Sequence, residues 1–139
     1  MSMTKLRAEV RGDTAGGAAA RTSVAVIGGG AAGMMTAATA ARLGAAVTLF
    51  EREEKRGRKL GITGKGRCNL TNDCTRDEFL ENVPRNPRFM FASFAAFGPH
   101  DVKEYFEGLG VPLKVERGRR VFPVSDRAGD IVFALAREV

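Results

Sequence analysis

Gly28-Gly29-Gly30-Ala31-Ala32-Gly33 carries glycines in a G-x-G-x-x-G pattern, and a carboxylate, Glu51, stands 18 positions after the last of them. These side chains form no bonds to a substrate; what they offer is backbone. Gly28 permits a tight turn, Gly30 has no Cβ to hold a phosphate away from the main chain, and Gly33 lets a helix pack closely on a strand. If Ala31 and Ala32 open that helix, their free N–H groups and the positive end of the dipole face an anion. Glu51 at this distance suits acceptance of hydrogen bonds from the two hydroxyls of a ribose, and it repels a 2′-phosphate. The chemistry suggested is the holding of a dinucleotide.

Such a turn needs a strand before it and a helix after it. Residues 24–27 form a short apolar run without polar alternation, which predicts a strand buried on both faces of a parallel sheet. Residues 31–43 are rich in alanine with Met34, Met35 and Leu43, a helix that Gly44 closes. Residues 46–50 are a second apolar run ending at Glu51. Residues 23–51 therefore read as one right-handed βαβ unit.

Residues 52–74 mix glycines with basic side chains and predict a long functional loop rather than a regular helix. Helices are expected near 76–82, 88–97 and 101–109. The last has Val102, Tyr105, Phe106 and Leu109 on one face. Residues 111–116 and 121–124 predict a hairpin, with Pro112 and Pro123 limiting both strands to edge-like pairing. Ser125 is expected to cap a final helix over 126–139. Residues 1–22 predict a disordered tail.

The glycine fingerprint by itself does not separate FAD from NAD. In simpler NAD-binding folds the second strand leads quickly into the next helix, whereas here a long basic loop follows. FAD needs extra backbone along its length. Arg58 and Lys59 suit phosphate or reduced-flavin charge, and Gly64-Lys65-Gly66 brings amides to the same task. Arg52, beside Glu51, joins this candidate set.

Residues 57–72, GRKLGITGKGRCNLTN, and 118–126, GRRVFPVSD, closely resemble the BaiN-like, aminoacetone-oxidase-like family of NAD(P)/FAD-dependent oxidoreductases. The resemblance implies an α/β fold: a Rossmann-like FAD-binding βαβ unit with a parallel sheet, accompanied by helices and a β-hairpin. It implies FAD contacts from Gly28, Gly30, Ala31, Ala32, Gly33, Glu51, Arg58 and Lys59, and from Thr63, Gly64, Gly66 and Asn69. It implies NAD(P)H or oxygen as electron partner, with the flavin carrying the chemistry and no catalytic side chain required. Family members are longer and insert a second domain, so residues 23–139 are expected to be the N-terminal portion of an FAD-binding domain.

Bulk properties fit a single soluble domain. The net charge of +6 admits a nucleic-acid partner, but the positive charge is not one block and is read as solubility plus affinity for a phosphate-bearing cofactor. No apolar run approaches the roughly 18 residues of a membrane helix. Cys68, Cys74 and His100 show no metal-ligand spacing, and two cysteines make no disulfide framework; a reduced, cytoplasmic setting is expected. The alternative to a working flavoenzyme is a non-catalytic dinucleotide-binding fragment.

Overall fold

The computed structural model describes residues 21–139; the expected tail over 1–22 falls almost wholly outside them. The described residues divide into two compact units, 21–61 with Val132–Val139, and Ile62–Ile131. No described helix is long and apolar enough to cross a membrane.

The first unit is the βαβ element. Strand β1 (Ser23–Ile27) pairs in parallel with β2 (Ala46–Phe50), in register from Ser23 opposite Ala46 to Ile27 opposite Phe50. Helix α1 (Ala31–Arg42) makes the crossover and buries Met34, Ala37 and Ala38 at i, i+3, i+4 spacing, where alanine's small side chain permits close packing on the sheet. The helix ends where Gly44 takes φ +88°, a conformation that costs a residue with a Cβ about 1 kcal/mol or more. Arg42 in its last turn forms an ion pair with Glu138. One expectation needs correction. Val26 is buried, but Ala25 is exposed and Ile27 is 87% exposed, so β1 is covered on one face only. A continuous apolar run does not distinguish one covered face from two.

The second unit has a three-stranded antiparallel sheet of order β3-β5-β4, where β3 is Thr71–Asn72, β4 Leu113–Glu116 and β5 Arg120–Pro123. The hairpin was expected; the third strand was not, and it makes β5 central rather than an edge. Pro123 is tolerated because β3 pairs only with Val121 and Arg120, at the other end of the strand. Val121, Phe122, Cys68, Phe106 and Ile131 are fully or almost fully buried in this unit.

Residues 52–74 are more regular than a loop. Helix α2 (Arg58–Ile62) precedes β3, and between them residues 63–66 form a turn with left-handed, non-helical angles at Gly64 and Lys65. Helix α3 (Arg76–Glu81) starts with a reciprocal capping box between Thr75 and Glu78. The helix expected over 88–97 splits into a 3₁₀ turn (Pro87–Met90) and α4 (Phe91–Ala96). Helix α5 (Pro99–Gly108) begins two residues early, because Pro99 fits the first helical position and the Asp101 carboxylate accepts a hydrogen bond from the Gly98 amide at 2.7 Å. Helix α6 (Ala128–Arg137) begins two residues late, since Asp126 has φ +56° and cannot enter a helix. Ser125 Oγ instead donates to Asp130 Oδ2 at 2.5 Å and accepts from the Arg127 amide at 3.3 Å.

Candidate dinucleotide site

The turn between β1 and α1 is built from backbone. Gly28 leaves the strand with φ +102°, and its amide donates to the Phe50 carbonyl at 2.7 Å, extending the β1–β2 ladder by one step. Gly30 is the N-cap of α1, extended at φ −79°, with open space where a Cβ would stand. The Met34 amide closes the first helical turn onto the Gly30 carbonyl at 2.9 Å. Helix geometry therefore leaves the amides of Ala31, Ala32 and Gly33 without intrahelical partners. No side chain caps this end and the first turn holds no acidic residue, so its partial positive charge stays uncompensated. Gly33 sits against the turn: a Cβ there would lie 1.8 Å from the Gly28 carbonyl oxygen. Gly28 thus makes the turn and Gly33 the close approach, while the space beside Gly30 is open.

Glu51 does more than end β2. Its Oε2 accepts from the Gly29 amide at 2.6 Å and its Oε1 accepts from the Glu53 amide at 2.9 Å. These amides, that of Glu53 first and that of Gly29 second, hold the carboxyl below the usual glutamate range against the opposing effect of burial. A carboxylate has about four lone-pair sites, and the Arg52 amide also approaches this one, so at least one site remains for a hydroxyl donor. Gly29, which the fingerprint treats as any residue, is constrained here. A Cβ on it would come within 3.0 Å of Glu51 Oε2 and of Arg56 Cγ.

A group whose folded pKa is depressed stabilises the fold above its unfolded pKa, and that contribution disappears as pH falls through the folded pKa. The Glu51 link is therefore whole at neutral pH and is lost only as pH falls through a folded value below the ordinary glutamate value of 4.5. On acidification, the amide proton resonances of Gly29 and Glu53 should move together with a midpoint below that value, and the movement should vanish in Glu51→Gln. A midpoint at or above the ordinary value would remove Glu51 as the anchor of the turn.

The basic residues after β2 differ in their surroundings. Arg52 and Arg58 both pair with Glu53, at 3.2 and 3.4 Å, and their side chains are 85% and 74% exposed. Lys59 is exposed. Arg56, which sequence reasoning passed over, is half-buried against the turn. Its neighbour Gly57 donates to the Gly29 carbonyl at 2.8 Å. The missed signal lies in tertiary packing, since one arginine among six basic residues from Arg52 to Lys59 and Lys65 has nothing in its sequence context to mark it.

Thr63, Gly64, Gly66 and Asn69 lie in the second unit, on a turn with three successive left-handed residues: Gly64 (φ 57°), Lys65 (59°) and Gly66 (86°). A Cβ at Gly64 would stand 2.8 Å from Phe122 Cε1 and 2.9 Å from the Asn69 amide nitrogen. The Cys68 amide returns to the Thr63 carbonyl at 3.0 Å, which closes the turn. Thr63, Gly66 and Asn69 are exposed. Arg67 braces the turn through Glu116 at 2.9 Å and Asp126 at 3.2 Å, with its guanidinium 4.1 Å from the Phe122 ring centroid.

Cys68 is buried and Cys74 half-buried, and both are free thiols. Burial raises both thiol pKa values; a hydrogen bond with Thr63 partly offsets this at Cys68, while the Glu78 charge adds to it at Cys74. Raised pKa values make poor nucleophiles. His100 is exposed, 3.7 Å from Glu104. A cleft of about 480 Å³ in the second unit is lined by Asn72, Cys74, Glu78, Phe79, Asn82 and Arg119, among others. It includes none of the expected site residues, and the Arg119 guanidinium is engaged by Glu78 at 2.6 Å.

Residues 22–139 match the family described as the HI0933-like protein Rossmann domain. Over 95 residues, 68% of this chain, the sequence is 36% identical to a 3-dehydro-bile acid delta(4,6)-reductase of Clostridium scindens, covering 22% of that protein. Over 62 residues, 44% of the chain, it is 41% identical to a ribosomal RNA dihydrouridine synthase of Haemophilus influenzae, covering 15% of that protein. The matched stretches are thus about a fifth and about a seventh of the lengths of these two relatives.

Proposed function

The chain belongs to the HI0933-like Rossmann-domain family, and from that premise we propose that it binds FAD as the N-terminal portion, residues 23–139, of a flavin-dependent oxidoreductase. The observation that carries this reading is the β1–α1 turn: an uncapped helix start, open space at Gly30, and Glu51 fixed at the adjacent strand end. This is a fit for the ADP half of a dinucleotide. The amides of Ala31, Ala32 and Gly33 would bind the diphosphate, and the remaining lone-pair capacity of Glu51 would take a ribose hydroxyl.

Bound flavin would supply two-electron transfer between a donor and a substrate. The contribution of this chain is binding and orientation. The Glu51–Gly29 hydrogen bond keeps the turn in shape before the cofactor arrives, so less ordering is required on binding. Thr63, Gly64, Gly66 and Asn69 are proposed as further contacts on the strength of the resemblance over residues 57–72. A reductase among the relatives supports a reductive reaction, with NAD(P)H as donor and a cytoplasmic setting carried forward as part of the proposal. The RNA named for the second relative is that protein's substrate.

The test is an absorbance spectrum of the full chain after incubation with FAD and removal of free flavin. Retained oxidised-flavin absorbance that bleaches with NADH or NADPH supports the oxidoreductase reading. Retained flavin that neither donor reduces would reduce the role to binding. A folded, colourless protein would contradict FAD as the ligand.

A further inference from the structure

Resting on the dinucleotide reading, we propose that Arg56 is a further binding residue of this site, supplying the cation that faces the diphosphate held at the β1–α1 turn. A diphosphate brings about two negative charges, while the helix start offers roughly half a positive one. The turn itself contributes no basic side chain, and the first turn of α1 holds only Ala31, Ala32, Gly33 and Met34. Of the nearby arginines, Arg52 and Arg58 are highly exposed and share Glu53.

Arg56 is placed differently. Its Cγ lies 3.0 Å from where a Cβ of Gly29 would stand, so its stem rests on the turn. Among the described residues no carboxylate pairs with it. Glu51, whose Oε2 approaches the same hypothetical Gly29 Cβ, is held by the amides of Gly29 and Glu53 rather than by Arg56. The backbone fixes this placement. Gly57 donates to the Gly29 carbonyl at 2.8 Å, has φ +69°, and leaves 2.8 Å between a hypothetical Cβ and both methyls of Val132. Arg56 is half-buried, and an arriving anion would give its guanidinium the charged partner that no described carboxylate supplies.

The experiment measures ADP and adenosine affinity for the full-length wild type, Arg56→Ala and Arg56→Lys, with circular dichroism confirming that each is folded. Arg56→Ala should weaken ADP about tenfold, the scale of one charge-assisted hydrogen bond, and leave adenosine unchanged; Arg56→Lys should recover part of the loss. ADP affinity equal to wild type in Arg56→Ala overturns the proposal. Equal losses for ADP and adenosine also overturn it, because they mark a structural role. Failure of the wild type to bind ADP overturns the dinucleotide reading itself, and the Arg56 role with it, so the two failures are told apart.

Discussion

Gly33→Ala should destabilise the first unit by about 3 kcal/mol or more, the upper end of what inserting one methyl into a packed site costs. The reason is geometric. The added Cβ would stand 1.8 Å from the Gly28 carbonyl oxygen and 3.0 Å from its carbonyl carbon. Both are backbone atoms, and the Gly28 amide is itself bonded to the Phe50 carbonyl, so no flexible side chain can move aside. Relief requires that α1 shift off β1, which uncovers Met34, Ala37 and Ala38. With total stabilities of about 5–15 kcal/mol, such a loss is a large part of the whole. Urea unfolding should show a much lower midpoint, and nucleotide affinity should fall with it because the turn loses its shape. An unchanged midpoint would mean that the helix–strand contact is not as close as described.

Gly30→Val should do the opposite: hold stability within about 1 kcal/mol, the scale of an N-cap change, and lower nucleotide affinity roughly a hundredfold, or about 3 kcal/mol. Gly30 has φ −79°, which any residue adopts, and nothing lies within 4 Å of its hypothetical Cβ. The protein has no internal need for glycine there. A β-branched side chain projecting into that space obstructs whatever approaches the amides of Ala31–Gly33. The paired variants thus separate a glycine required by the fold from a glycine required by the ligand. Retained affinity in folded Gly30→Val would contradict the placement of the diphosphate.

The first βαβ unit was legible in the sequence because each signal is local. The run ending at Ile27, the alanine-rich stretch closed at Gly44 and the run ending at Phe50 give β1, α1 and β2 almost to the residue. What escaped depends on partners distant in the chain. Thr71–Asn72 is too short to show any period and becomes a strand only because β5 presents a free edge. Gly61 argues against helix over residues 58–62, yet a short helix forms there, and Gly64 takes the left-handed conformation that ends it. Asn86, in the left-handed region at φ 48°, and Pro87 at the first position set where the turn before α4 begins. In the candidate site, the glycine spacing and the position of Glu51 are local signals, which is why the sequence alone nominates them. The Glu51 carboxylate as a brace for Gly29, and the seating of Arg56 on the same glycine, follow from how the chain returns after β2.

The central claim, that the β1–α1 turn holds the ADP half of a dinucleotide, is tested most directly by calorimetric titration of ADP into the full chain, with Gly30→Val as the paired sample. Wild type should show saturable binding at one site, competed by FAD, and Gly30→Val should lose it while remaining folded. Absence of ADP binding by the folded wild type, or equal binding by both proteins, would contradict it.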